Sequence, residues 1–300
     1  MLHNDKEIFE QVVLKTSETL GVDTSIVEKD YFVTLFLQKI SSQLPTIIFK
    51  GGTSLSKCHK LIKRFSEDID LNIECETKPT EGQRKKLKKT IISIIEDLGL
   101  QLNNSDNIRS RRDFNRYIID FPAMFRASSL KQHLIVETAV YIKAYPNNTM
   151  QAASMIYEFL SENGFHDLIS KYNLEPFKLM VQSAERTFVD KVFAICDYYL
   201  DGRINEHSRH LYDLYKLLDV VCIDDNLREL VISVREERKI HKTCLSAQDN
   251  ININDLLNEI IEKSIYKSDY ESITELLLFE KVSYDEVIQG IKRIYESKLF

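Results

Sequence analysis

Hydrophobic and polar positions follow two different periods near the start of this chain. Ile47, Ile48 and Phe49 form a short apolar run with strand character, and Gly51 and Gly52 interrupt it. Apolar residues then recur at helical spacing, and the segment 68–73 alternates strictly between polar and apolar residues. The pattern of residues 45–73 therefore predicts a strand, a glycine turn, a helix and a second strand.

The same reading extends along the rest of the chain. Helical periodicity covers residues 5–20, then a segment that begins at a cap on Asp23 or Thr24, then 80–99, where Gly99 ends the helix. Residues 100–145 have the pattern of paired strands, at 117–121 and 134–141. After Pro146 the strand signals stop, and most of the remaining chain is helical. We predict an α+β fold with a small mixed sheet in a domain over 1–150 and a mostly α-helical domain over 151–300.

Composition is that of an ordinary globular protein, with 43% hydrophobic and 29% charged residues. The net charge of −6 argues against a chain that binds nucleic acid through a basic surface on all sides. It leaves room for local basic patches, and two segments have this character. They contain Arg84, Lys85, Lys86, Lys88 and Lys89, and Arg109, Arg111, Arg112 and Arg116. Such a helix face is usually only solvated, and contact with RNA is the alternative.

Five cysteines occur without any CxxC pair, which indicates a reduced protein with ordinary buried thiols. The first residues do not have the pattern of a signal peptide, and no apolar run approaches the ~20 residues of a membrane span. We therefore expect a cytoplasmic protein without membrane contact.

The alternating segment carries the candidate chemistry. In a strand, Asp68 and Asp70 point to the same face, where two neighbouring carboxylates repel unless a cation neutralises them. Mg²⁺ suits such oxygen ligands, since it takes one or two carboxylates together with phosphate oxygens and water. The glycine turn upstream exposes backbone N–H groups to which a phosphate can come close. The two halves together predict a metal–triphosphate site, whereas each half alone is more often a solvated strand face or an ordinary turn.

These motifs also carry a family resemblance. The segments GGTSLSK and RFSEDIDL resemble the nucleotidyltransferase superfamily that includes DNA polymerase β, and more narrowly its AbiEii branch of toxins with the related MenT toxins. The Arg-x-Ser-x-Asp-x-Asp segment of that branch matches Arg64, Ser66, Asp68 and Asp70. The resemblance extends to about residue 220. It implies a nucleotidyltransferase fold for the N-terminal domain and Mg²⁺-dependent transfer of a nucleoside monophosphate from a nucleoside triphosphate.

The resemblance also implies roles for individual residues. Glu137 is the third carboxylate of the metal site, beside Asp68 and Asp70; Lys191 contacts the triphosphate, and Asp213 completes the site. Either Glu137 or Asp213 accepts the proton of the acceptor or holds a second ion. Further nucleotide contacts are expected at Gly51, Gly52, Thr53, Ser54, Lys57, Arg64 and Ser66. Spacing alone favours another place for Asp213, on a wet helix face between Arg209 and Lys216.

Partners follow from the resemblance alone. It implies an RNA acceptor, with the 3′ end of a tRNA as the leading case or a protein hydroxyl as the other, and a cognate antitoxin encoded nearby. The competing interpretation is a nucleotide- or RNA-binding module without turnover that acts through a partner. A third interpretation, a structural helical adaptor, predicts no metal dependence.

Overall fold

The computed structural model describes residues 1–66, 68–75, 78–125 and 133–300, and the strands in these ranges form one mixed sheet of seven. The strands are β1 (Ile47–Lys50), β2 (Asp68–Ile73), β3 (Gln101–Leu102), β4 (Phe114–Asp120), β5 (His133–Ala139), β6 (Asn147–Ala152) and β7 (Phe177–Gln182). Their order across the sheet is β3-β4-β5-β2-β1-β7-β6. The pairs β1–β7 and β2–β5 are parallel, and the other pairs are antiparallel.

The chain divides into two compact units. Unit 1 consists of Met1–His59 and Ser66–Gln182 and contains the whole sheet. Its helices are α1 (Lys6–Leu20), α2 (Thr24–Gln43), α3 (Gly51–Lys57), α4 (Glu81–Asp97), α5 (Met155–Glu162) and α6 (His166–Tyr172). Unit 2 consists of Lys60–Phe65 and Ser183–Phe300.

The core of unit 1 follows from the two periods of its sequence. Ile69 and Leu71 of β2 are fully buried in one apolar cluster with residues of α2 and α4, such as Phe36 and Ile91. Strand alternation sends Asp70 and its even-numbered neighbours to the opposite face of the sheet. One face of the central strands is thus apolar and covered, and the other face carries the polar side chains.

Local signals set several helix ends as expected. The Asp23 carboxylate accepts a hydrogen bond of 2.9 Å from the backbone N–H of Ser25 at the start of α2. Thr80 caps α4 through a reciprocal capping box, and Gly99 follows that helix in a left-handed conformation. The helices predicted over 5–20 and 80–99 are confirmed within two residues.

Unit 2 is built from helices in the described part of the chain. They are α7 (Ala184–Leu200), α8 (Arg209–Leu217), α9 (Asp225–Lys239), α10 (Ile253–Glu262), α11 (Lys267–Asp269), α12 (Glu275–Leu277) and α13 (Tyr284–Glu296), with a π-helical turn at Tyr270–Thr274. The segment Lys60–Phe65 adds a short antiparallel bridge, in which Arg64 pairs with Leu278. The backbone N–H of Phe279 donates to the Lys63 carbonyl at 2.8 Å, and that of Phe65 donates to the Leu277 carbonyl at 3.1 Å.

The α+β class and the mixed sheet agree with the sequence analysis, but the end of the strand region does not. Strands β6 and β7 both follow Pro146, so the prediction that strands stop there was wrong. The β6 sequence, NNTMQA, is polar because β6 is an edge strand, and it therefore lacks the apolar alternation that marks a strand. The compact units divide after Gln182 instead of near residue 150. The paired-strand region predicted over 100–145 includes 126–132, which lie outside the described residues.

Among the helices of the described ranges, none combines the length and the apolar character that crossing a membrane requires.

Candidate active site

The glycine turn after β1 places backbone directly against an acidic side chain. Gly51 has a positive φ of 76° and begins α3. A Cβ built on Gly51 would lie 2.0 Å from Oδ2 of Asp70 and 2.8 Å from its Cγ. Only glycine combines this backbone conformation with this close approach. The turn and the acidic strand are therefore one packed arrangement.

Two buried hydroxyl groups form hydrogen bonds at this turn. Oγ1 of Thr53 donates to the Asp68 carbonyl at 2.6 Å and lies 2.9 Å from Oγ of Ser66. Oγ of Ser54 donates to the Gly51 carbonyl at 2.8 Å. Thr53 and Ser54 are both buried. The Thr53 hydroxyl holds α3 against β2, and the Ser54 hydroxyl closes the first turn of α3. The nucleotide contacts expected at Thr53, Ser54 and Ser66 remain predictions.

A row of four charged residues crosses the sheet on the polar face. Asp70 of β2 is the register partner of Lys50 on β1 and of Glu137 on β5, and Glu137 is the register partner of Arg116 on β4. The Arg116 guanidinium contacts the Glu137 carboxylate at 3.2 Å between Nε and Oε1. Asp68 lies two residues before Asp70 and therefore shares its face. The two central carboxylates are flanked by one cation on each side.

The row changes the proton affinity of Glu137. Burial and the neighbouring Asp70 carboxylate raise the pKa of Glu137 to about 7, against the opposing effects of Arg116 and Lys50. A carboxyl group with such a pKa can accept a proton near neutral pH. Glu137 is therefore suited to acid–base chemistry, and the repulsion between its carboxylate and that of Asp70 would equally be relieved by a cation bound between them.

The donor set of this face fits a magnesium ion that is shared with a ligand. In the described part of the chain, no three carboxylate, imidazole or thiol groups are arranged to enclose a metal. Magnesium does not need such a cage, because it is usually held by one or two carboxylates plus phosphate oxygens and water. Asp68 and Asp70, on one face of the strand beside the glycine turn, supply that smaller set.

The ammonium of Lys57 is bound by three acceptors within unit 1. Its ammonium donates to Oδ1 of Asp30 at 2.6 Å, to Oγ1 of Thr34 at 2.7 Å and to the Ala153 carbonyl at 3.1 Å. Its three hydrogens are thereby engaged, and its side chain is buried. These contacts give Lys57 a structural role in unit 1, and the predicted phosphate contact of Lys57 stays a prediction.

The other predicted residues form a second group, within unit 2. The Arg64 guanidinium binds the Asp213 carboxylate with two bonds of 2.7 Å, from Nε to Oδ1 and from Nη2 to Oδ2. Nζ of Lys191 lies 2.6 Å from Oδ2 of Asp213 and 3.2 Å from Nδ1 of His210. Asp213 has no exposed surface, so it is not on a wet helix face. Lys216, its expected neighbour, pairs instead with Glu280 at 2.9 Å.

Electrostatics define the charge state of this second group. Burial would raise the pKa of Asp213, but Arg64 and Lys191 hold it well below its usual range. Burial and the nearby Lys191 ammonium lower the pKa of His210 well below its ordinary value, so its imidazole is neutral at pH 7. Asp213 is therefore a permanent anion between two cations, and its carboxylate is a poor proton acceptor.

The structure thus gathers the predicted residues in two places. Gly51, Asp68, Asp70 and Glu137 come together in unit 1, and Arg64, Lys191 and Asp213 come together in unit 2. Sequence reasoning missed Lys50 and Arg116 as members of the acidic row. Their signal is the strand register, because each faces a carboxylate across a strand pair that sequence spacing alone does not reveal.

This chain is similar to a known protein family and to solved structures. A family model described as "Nucleotidyl transferase AbiEii toxin, Type IV TA system" matches residues 35–289. The solved structure of MenT4, a nucleotidyltransferase toxin from Mycobacterium tuberculosis, aligns with a TM-score of 0.57 at 14% identity, over 95% of this chain and 89% of that chain. JHP933 from Helicobacter pylori aligns with a TM-score of 0.47 at 16% identity, over 92% and 93% of the two chains. No curated protein sequence matches this chain. The MenT4 alignment supports a nucleotidyltransferase-type toxin fold.

Proposed function

The chain belongs to the AbiEii family of nucleotidyltransferase toxins, and from this premise we propose that it transfers a nucleoside monophosphate from a nucleoside triphosphate to an RNA hydroxyl. Membership of a toxin–antitoxin family implies a nucleoside triphosphate as substrate and a cognate antitoxin as partner. The observation that supports the chemistry is the packing of Gly51 against Asp70, with Asp68 and Glu137 on the same face of the sheet.

Each residue of unit 1 has a task in this proposal. Asp68 and Asp70 would hold Mg²⁺, which when bound neutralises charge on the triphosphate. For the phosphates we propose contact with the backbone at Gly51 and Gly52, where no side chain projects from the turn. Glu137 accepts the proton of the attacking hydroxyl. A new bond forms between that oxygen and the α-phosphorus, the bond from the α-phosphorus to the bridging oxygen breaks, and pyrophosphate leaves.

Glu137 is a better proton acceptor than Asp213 in this scheme. The pKa of Glu137 is raised to about 7, whereas Arg64 and Lys191 hold the pKa of Asp213 far below neutrality. For Lys191 we propose the role that the family resemblance implies, contact with the triphosphate. Asp213 then orients the Lys191 ammonium through their contact of 2.6 Å.

The acceptor is proposed as the 3′ end of a tRNA. A nucleoside monophosphate added there would block translation, which would account for toxicity. Both substrates are cytoplasmic molecules, so the proposed reaction takes place in the cytoplasm.

A labelling assay tests the proposal. Purified protein is incubated with Mg²⁺, each α-labelled nucleoside triphosphate and total cellular RNA, beside Asp70→Asn and the exposed control Asp106→Asn. We expect label in an RNA band with the wild type and the control, and none with Asp70→Asn or with EDTA. Label on protein would replace the RNA acceptor by a protein hydroxyl. Nucleotide binding by calorimetry without any labelled product would favour a binding module without turnover.

A further inference from the structure

Two basic segments that are separate in the sequence come together on unit 1. Nζ of Lys88 in α4 donates to the Ile108 carbonyl at 3.0 Å, and Nε of Arg111 lies 3.4 Å from Oε1 of Glu81 at the start of α4. These contacts join the N-terminal half of α4 to the loop before β4. The exposed cations of this surface, which we call the basic face, are Lys85, Lys86, Lys89, Arg109, Arg111 and Arg112.

The charge of this region runs against that of the whole chain. Residues 78–116 contain ten Lys and Arg but only five Asp and Glu, in a chain of net charge −6. Within the described ranges, Lys85, Lys86 and Lys89 take part in no ion pair. A solvated helix face normally gains stability from carboxylates three or four residues away. Here Glu81 lies four residues before Lys85 but contacts Arg111. Lys89 lies four residues from Lys85 and three from Lys86, so these three cations repel one another.

The position on the helix adds to the positive potential. Lys85 and Lys86 lie in the second turn of α4, near the N-terminal end of the helix dipole, which is itself positive. A helix gains nothing for its own stability from cations placed there. An anionic ligand would gain from the lysines and from the dipole together.

The basic face also connects to the acidic row. The loop enters β4 after Asp113, and Arg116 follows three residues later, about 10 Å along the strand. Arg116 contacts Glu137, the register partner of Asp70. Helix α4 packs on the apolar face of the sheet, whereas the acidic row lies on the polar face, so an RNA bound along the basic face reaches the carboxylates by passing from one face of the sheet to the other. Both features belong to unit 1.

We propose that the basic face binds the phosphate backbone of the acceptor RNA. This inference rests on the proposed function, because it gives the acceptor a place to dock on the unit that carries the acidic row. Exposed lysine and arginine side chains that neutralise phosphates release the counterions condensed on the nucleic acid, which supplies affinity without reading sequence. The basic face would thus hold the RNA, while the acidic row acts on its hydroxyl.

Binding can be measured apart from catalysis. Unfractionated tRNA with a fluorescent label is titrated with the full-length protein in EDTA and without nucleotide, at several salt concentrations. The triple variants Lys85→Glu/Lys86→Glu/Lys89→Glu and Arg109→Glu/Arg111→Glu/Arg112→Glu are compared with wild type. We expect each to weaken binding by about tenfold or more at 0.1 M salt, and to reduce the slope of log affinity against log salt by about 2–3.

A matched control separates the surface from net charge. Lys6→Glu/Lys171→Glu/Lys178→Glu makes the same charge change at exposed positions elsewhere on unit 1, and we expect binding within twofold of wild type. Equal losses in the control and in the basic-face variants would overturn the proposal. Competition by poly-glutamate as strong as competition by RNA would also overturn it, because poly-glutamate is a polyanion without phosphates. Thermal melting confirms that the surface variants are folded.

The outcomes also separate this surface from the proposed reaction. If the wild type labels no RNA but the basic-face variants lose RNA binding, the proposed RNA-binding surface is supported and the proposed reaction is refuted. If the wild type labels RNA and the basic-face variants label it equally well at subsaturating RNA, the proposed reaction is supported and the proposed RNA-binding surface is refuted.

Discussion

Replacing Gly51 by alanine tests the packing between the glycine turn and the acidic strand. Two separate costs are expected. The first is the backbone cost of an alanine at a φ of 76°, on the order of 1–2 kcal/mol. The second is steric, because the new Cβ would lie 2.0 Å from Oδ2 of Asp70, whereas real Cβ atoms keep at least 3.0 Å from their neighbours. The Asp70 carboxylate must therefore move by about 1 Å.

The move of Asp70 should be visible in catalysis. A misplacement of ~1 Å in a catalytic arrangement can lower the rate ~100-fold. We expect Gly51→Ala to lower kcat in the labelling assay about 100-fold or more. Its free energy of unfolding, measured with urea, should fall by about 1–3 kcal/mol, which leaves most molecules folded.

Two other glycines separate these effects. Gly21 has a φ of 66°, but a Cβ added to it would meet no atom within 4 Å, so Gly21→Ala brings the backbone cost alone. Gly82 lies in α4 without a positive φ, and Gly82→Ala should raise stability by up to about 1 kcal/mol. Both variants should keep wild-type kcat. A Gly51→Ala enzyme as active as Gly21→Ala would refute the inference that Asp70 must lie against Gly51.

Three further variants test other contacts. Asp213→Asn leaves Arg64 and Lys191 as buried neighbouring cations and should lower the free energy of unfolding in urea by about 3–5 kcal/mol, with exposed Asp219→Asn as the neutral control; equal stability of the two variants would contradict the ion-pair geometry. Lys57→Met breaks a buried contact with Asp30 and should lower stability by about 2–5 kcal/mol with no change in the KM for nucleotide, whereas Lys171→Met should change neither; a higher KM at unchanged stability would restore the phosphate-contact role. His210 has a pKa well below 6.5 in the folded state, so the unfolded chain takes up its proton first as pH falls, and stability is lost below about pH 6.5 by up to about 1.4 kcal/mol per pH unit. In urea titrations from pH 7 to pH 5, His210→Gln should lose less stability than wild type or exposed His166→Gln; identical slopes would mean that His210 is protonated in the folded protein.

The periodicity of apolar residues was sufficient to predict the helices with a clear apolar stripe and the strands with a clear alternation. The strict alternation of residues 68–73 predicted both the strand and the shared face of Asp68 and Asp70, because a pleated strand permits no other arrangement. Edge strand β6 escaped detection since an edge strand with one wet face needs no apolar run. The segment Lys60–Phe65 escaped because its partners lie more than 200 residues away in the sequence.

The side-chain partners were less predictable than the elements. Local helix spacing favoured Arg209 and Lys216 as neighbours of Asp213, yet long-range packing supplies Arg64 and Lys191. Lys57 has the position of a phosphate contact in the motif, yet α2 offers its ammonium Asp30 and Thr34. Motif resemblance groups residues correctly, whereas the contacts of a long side chain depend on elements that the motif does not include.

The short bridge between Arg64 and Leu278 has a consequence for synthesis of this toxin on the ribosome. Arg64 precedes Asp213 by 149 residues. The backbone partners of its neighbours Lys63 and Phe65, at Phe279 and Leu277, are made later still. All residues of unit 1 exist once Gln182 has been synthesised, but the segment before the acidic strand then waits about 5–20 s for these partners. In nascent chains that end before Leu277, residues 60–65 should therefore be accessible to cleavage by a protease. Unit 2 would thus be complete only when nearly the whole chain has been made.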